Sequence, residues 1–227
     1  MLEVGLTTAL KKNHPGALIG LLELSGVRND QPLTALQALQ RVVETNLKER
    51  YLGWSRAELL QLPVMEAYRE YYKHFDMTYH VLLQLESIIF KDKPLPSVSP
   101  LVDINFMAEV DTLILTASHD TDRLTRPILF DIAQPGDQFT QMNGTLKDLQ
   151  PGDILMKDGK RIVCTILYGQ DNLSPITRST THALYVAYAP RGVTADQVES
   201  QLSLVEDYAH IFFAESQVLQ HRLLFVS

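Results

Sequence analysis

Two textures divide this 227-residue chain near residue 110, and that division constrains its fold more than any single motif. Ahead of it, apolar residues recur at steps of three and four. Leu36, Leu39, Val43 and Leu47 mark one amphipathic helix from Thr34 to about Arg50, and Leu82, Leu83, Leu85, Ile88 and Ile89 mark another from Tyr79 to about Phe90. Beyond it come short segments rich in β-formers: Leu113–Ala117, Ile128–Ile132, Ile154–Met156, Arg161–Leu167 and Ala183–Tyr188. Pro-Gly, Asn-Gly and Asp-Gly turns separate them. Helices gathered first and strands later predict an α+β or layered α/β architecture, not an alternating βαβ fold.

Local signals refine this outline. Ala17–Leu24 is a short, mostly apolar run closed by Ser25-Gly26, which predicts a buried inner strand. Ser55-Arg56-Ala57-Glu58 has the form of a capping box, and Pro63 suits the first turn of a further helix. Lys91–Pro96 stops the 79–90 helix, because proline cannot continue its hydrogen-bond ladder. Ser99-Pro100 then reads as a cap and first-turn proline, with a helix to about Val110. A second capping box, Thr194–Gln197, opens a long helix through Val198, Leu202, Val205, Ala209 and Phe212, and Leu219–Val226 reads as a last strand. No internal repeat appears, so residues 1–227 are read as a single domain.

The totals exclude several classes. Hydrophobic residues make up 45% and charged residues 21%, a globular composition that argues against wholesale disorder. A formal charge of −7 with scattered basic residues disfavours non-specific nucleic-acid binding, which depends on Lys and Arg neutralising phosphates. The single cysteine, Cys164, has no partner for an intrachain disulfide, and its apolar neighbours predict an inert, buried thiol. The N-terminus lacks a signal-peptide apolar region, and no apolar run approaches the roughly 20 residues of a membrane span. A soluble, cytoplasmic protein without a membrane partner is expected. There is no Walker loop, no dinucleotide-binding glycine motif after a strand, no Gly-x-Ser-x-Gly elbow and no His-Glu-x-x-His.

The densest polar cluster is Ser118-His119-Asp120-Thr121-Asp122-Arg123, placed directly after a predicted strand. In a functional reading His119 is an acid/base group whose tautomer a carboxylate sets. The same run also reads as an Asp-rich turn that bonds its own backbone. As a metal site, His119, Asp120 and Asp122 lack a second histidine at workable spacing, so neither metal nor cofactor is expected. A second polar segment runs from Tyr168 to Ser174 and on through Thr177–His182, between two predicted strands. It suits a site loop or a solvated connection. The remaining histidines have no clustered partners in sequence. The pairs Tyr71-Tyr72 and Phe212-Phe213 fit core packing better than base stacking.

Taken together, five motifs resemble one family. They are Pro96–Asn105, His119–Leu124, Ile128–Ala133 with Pro135-Gly136-Asp137, Gln150–Ile154 with Asp158-Gly159, and Thr180–Leu184. In this order they are similar to the B3/B4 domain of the phenylalanyl-tRNA synthetase beta subunit, in a free-standing form, over roughly residues 15–190. The resemblance implies a three-layer β/β/α sandwich with an N-terminal helical segment and a C-terminal helix extension. It also implies a pocket that, in the synthetase, hydrolyses tyrosine wrongly attached to phenylalanine tRNA. Departures are visible: the family's pocket histidine falls at Ala117, its glutamate is absent from Gly169-Gln170-Asp171-Asn172, and Asn105 comes one residue early. Class II aminoacylation motifs are missing. On this resemblance the expected catalytic residues are His119 and Asp120, with Asn105, Gln170, Asn172 and Thr181 lining the site. The expected partners are tRNA or aminoacyl-tRNA, with deacylation of mischarged esters as the activity. The alternative is a non-catalytic module for a small amino-acid-like ligand or a protein partner.

Overall fold

A computed structural model describes residues 2–30 and 34–227. A short strand β1 (Val4–Leu6) and helix α1 (Thr8–Asn13) precede β2 (Leu18–Ser25), which is the predicted buried strand. Five helices follow: α2 (Thr34–Arg50), α3 (Arg56–Leu59), α4 (Pro63–Lys73), α5 (His80–Ile89) and α6 (Pro100–Thr112). The strands then run β3 (Thr116–Asp120), β4 (Ile128–Ile132), β5 (Gln138–Thr140), β6 (Leu146–Asp148), β7 (Ile154–Lys157), β8 (Ile162–Thr165), β9 (Gly169–Gln170) and β10 (His182–Ala189). Helix α7 (Ala195–Phe212) and β11 (Gln217–Phe225) close the chain.

Two sheets carry the fold. One has the order β11-β2-β10-β3 and is antiparallel throughout; the other has the order β1-β4-β7-β8-β9. They pack face to face, with Phe130 of β4 edge-on to Tyr188 of β10 at 6.0 Å between ring centroids. Helices cover the outer face of the first sheet, completing the predicted β/β/α layering. Gly20 on β2 marks how closely α7 approaches: a Cβ there would lie 2.6 Å from a Val198 methyl, 3.1 Å from Leu202 and 3.2 Å from Ala187. Gly20→Ala is therefore expected to destabilise the protein by about 1–3 kcal/mol through overpacking, read from urea denaturation midpoints at unchanged m-value.

Helix α4 ties the two sheets at one end through tyrosines at helical spacing. Tyr68 donates to the Tyr188 carbonyl (2.7 Å) and accepts from the Leu115 N–H (3.0 Å). Tyr71 donates to the Asp153 carboxylate and accepts from the Ile154 N–H, both at 2.7 Å. Tyr72 donates to the Ile166 carbonyl at 2.8 Å. These rings belong to the core. Cys164 is also buried, and burial pushes its thiol up to about 12. Among the described residues no helix is long and apolar enough to cross a membrane.

The structure corrects the sequence reading in several places. The capping boxes at Ser55 and Thr194 form in full, but the Ser99 side chain makes no cap bond to α6. Asp103 receives the Val98 and Ser99 N–H groups instead, at 2.8 and 3.2 Å, and Asn29 receives that of Leu101 at 2.9 Å. Helix α6 runs on to Thr112, and Leu113 ends it in the left-handed region (φ 64°). The strand predicted at Leu113–Ala117 accordingly begins at Thr116. This places His119 and Asp120 inside a strand and not on a loop. Strands β1, β5, β6 and β9 and helix α1 had no sequence signal, being two to six residues long. His221, read as lacking clustered partners, lies on β11 between Glu199 (2.9 Å) and Glu206 (2.7 Å).

Candidate functional site

The free edge of β3 and the short strand β9 approach each other beneath the N-terminal half of α6. Between them lies a cavity of about 280 Å³. Thr116, Ala117 and Ser118 form one wall, and Val98, Val102, Asn105 and Phe106 form the helix side. Gln170, Met142 and Ile176 close the remainder. Of the two stretches singled out in the sequence, Ala117 and Ser118 of one and Gln170 of the other line it.

Strand β3 pairs with β10 along its whole length, and α6 holds the start of its outer edge. Four residues apart on that helix, and so on one face, Asn105 and Glu109 grip the backbone of Thr116. The Asn105 side-chain amide donates to its carbonyl at 2.8 Å, and Glu109 accepts from its N–H at 2.9 Å. Glu109 is fully buried, and desolvation raises its carboxyl to about 8, against the lowering effect of the Thr116 N–H. It is therefore protonated at neutral pH. The oxygen of the Asn105 amide is buried in this region without a partner.

The far end of β3 is fixed by the 171–180 loop. The Asp120 N–H donates to the Ser174 carbonyl (3.0 Å), and its carboxylate accepts from the Thr180 hydroxyl (2.7 Å) and the Asp122 N–H (3.1 Å). His119 is buried completely. The Ser174 hydroxyl donates to Asp171 at 2.5 Å, so it accepts from His119 Nδ1–H at 2.9 Å, and this fixes the tautomer. Asp171 in turn accepts from Arg161 Nε at 2.8 Å. Burial pulls the His119 imidazole down to about 4, and the nearby Asp171 only partly offsets this. The ring is neutral, and its Nε2 meets no hydrogen-bond partner.

The expected site residues therefore divide. Asn105 and Gln170 line the cavity, and so does Ala117. His119 and Asp120 lie behind the wall, in the bonds that join β3 to the neighbouring loop. Asn172 does not line the cavity, and its backbone N–H donates to the Thr140 carbonyl at 3.2 Å, while Thr181 is exposed and its carbonyl accepts from Val27. Asp122 turns to His182 at 3.3 Å, so His119, Asp120 and Asp122 do not converge. Among the described residues no group of three or more His, Cys, Asp or Glu is placed to hold a metal. Thr116 escaped sequence reasoning, and Ser118 was named only as part of the polar cluster, since nothing in their neighbours shows that a strand edge would face a cavity.

Every residue of this wall falls inside the span that matches a family profile, that of the B3/4 domain, over residues 65–218. No curated protein matches the chain. Among solved structures it is similar to an N-terminal fragment of the phenylalanyl-tRNA synthetase beta subunit from Pyrococcus horikoshii. The TM-score is 0.52 at 10% identity, covering 96% of this chain and 50% of that one. The chain thus spans about half the length of that fragment, and the likeness concerns the fold.

Proposed function

The chain belongs to the B3/4 domain family, and from that premise we propose that its cavity is a binding site for a small, uncharged, amino-acid-like group. One observation carries this reading: none of the ten wall residues is titratable. Such a wall offers hydrogen bonds and apolar contact, but no side chain that takes or gives a proton near neutral pH. An ionised group sealed inside it would lack a countercharge. His119 and Asp120 serve this site by holding β3 against the 171–180 loop, and the module binds without acid–base chemistry of its own.

A second reading, hydrolysis of an aminoacyl-tRNA ester, is favoured by the Ser118 N–H on the cavity side of β3, a donor an ester carbonyl oxygen would accept. In that reading tRNA is the partner. Incubation with tRNAs mischarged with tyrosine and other amino acids separates the two. No release of the amino acid above the uncatalysed rate is the expected result. Turnover that depends on the cavity residues would replace the binding module with the deacylase.

A further inference from the structure

Strand β3 is the edge of its sheet, and its backbone groups alternate between β10 and the outside. Thr116 gives both its N–H and C=O to α6 side chains, and Asp120 gives its N–H to Ser174, so these two residues face outward. Leu115, one residue before them in the alternation, accepts from Tyr188 beyond the end of β10's pairing. Ser118, midway between Thr116 and Asp120, must face outward as well. Its N–H and C=O therefore lie side by side on the outer edge of the strand, and Ser118 lines the cavity there. Among the described residues no side chain or loop backbone bonds to them, and the Ser118 hydroxyl is also without a protein partner. Buried backbone groups are almost always paired, so an open donor and acceptor in a cavity wall define what fits there.

We infer that the cavity recognises a peptide-bonded amino-acid residue, which pairs with the Ser118 N–H and C=O as a one-residue extension of the β3 edge. This rests on the ligand-binding reading above and names the ligand's class. In an antiparallel pair, one residue exchanges both bonds with the residue opposite. The ligand must therefore carry an N–H and a C=O on either side of one carbon. A free amino acid also has this spacing, but its ammonium would enter a wall without a carboxylate, whereas an amide N–H is neutral. Residues directly opposite project their side chains to the same face. Tyr185, which faces Ser118 across the sheet, bonds to Leu101 of α6. The ligand's side chain consequently falls on the α6 side, against Val102 and Phe106, and an apolar one is selected. The orphaned Asn105 oxygen offers a further acceptor in the same region.

The test is an amide-resonance titration of the ¹⁵N-labelled protein with N-acetyl-L-leucinamide, N-acetyl-L-methioninamide and N-acetyl-L-phenylalaninamide. The Ser118 amide is expected to shift. Methylating the acetamido nitrogen of the best probe, or leaving its amine free, should weaken binding by about tenfold or more, the loss of a buried hydrogen bond or the burial of an unpaired charge. Ser118→Pro removes only the outward N–H, a position where an edge strand accepts proline, and should abolish binding while Ser118→Ala keeps it. A capped tripeptide with the same central residue binding more tightly would identify a chain segment as the source; equal or weaker binding would identify a free N-acyl amino acid. Equal binding by the N-methyl or free-amine form, or by a folded Ser118→Pro variant, overturns the inference and leaves the cavity a binding site. If Ser118→Pro does not fold, the ligand series alone decides. Should no probe shift Ala117, Ser118 or Gln170 at millimolar concentration, the binding-site reading itself is lost.

Discussion

Glu109→Gln is expected to make the protein more stable at pH 8 and to leave it nearly unchanged at pH 4.5. Folded, the carboxyl keeps its proton up to about 8, against an ordinary value of 4.5. Between those values the native state holds a proton that the unfolded chain releases, so stability falls as pH rises. The whole window is worth about 4–5 kcal/mol, since each pH unit between the two values contributes about 1.4 kcal/mol. Glutamine retains an oxygen for the Thr116 N–H, which Glu109 accepts at 2.9 Å, and it has no proton to lose. Urea denaturation of both proteins at pH 5 and pH 8 measures the difference. Parallel pH dependences would show that Glu109 is not protonated in the fold. His119 acts in the opposite window: its lowered value, about 4, makes the native state lose stability as pH falls from 6.5 towards 4. Wild type is thus limited from both sides, and Glu109→Gln should move its stability maximum upward.

Arg161→Met should be the most damaging single change near the cavity, with a loss of about 3–5 kcal/mol at neutral pH, the range for breaking a buried ion pair from one side. Its guanidinium lies between Asp158 (3.2 Å) and Asp171 (2.8 Å), whose side chains are 0% and 3% exposed. Asp158 keeps the N–H groups of Thr125, Lys160 and Arg161. Asp171 keeps only bonds from Ser174, both on its other oxygen, at 2.9 and 2.5 Å. Arginine removal therefore leaves one carboxylate oxygen buried and unpaired, at the start of the chain Asp171–Ser174–His119 that positions β3. Arg161→Met with Asp171→Asn should recover at least about 1 kcal/mol, because a neutral amide tolerates burial better than a lone charge. Chemical denaturation of the single and double variants checks this; full additivity of the two losses would contradict the pairing.

The helices were legible because their apolar residues repeat at the helical period, and the inner strand β2 because an unbroken apolar run fits a strand covered on both faces. The five motifs in order carried the family. The start of β3 was not legible. Leu113, Ile114 and Leu115 have the composition of a strand, yet Leu113 takes the left-handed turn that ends α6, with φ 64°. That shift of three residues moved His119 from an expected loop into the core.

Side-chain chemistry in sequence pointed to His119 and Asp120, since titratable groups in a polar cluster resemble a site. Asn105 and Gln170 were found through the family pattern. Ser118 opened the polar cluster but had no role in it, because what it offers lies in its backbone. Every residue has the same N–H and C=O, and only sheet order decides whether they meet another strand or an open space. The amino-acid sequence by itself determined the layering, most of the elements and the family; tertiary structure alone decided which groups face the cavity. Periodicity is local and survives in one dimension, whereas an unpaired strand edge is a relation between segments distant in the chain.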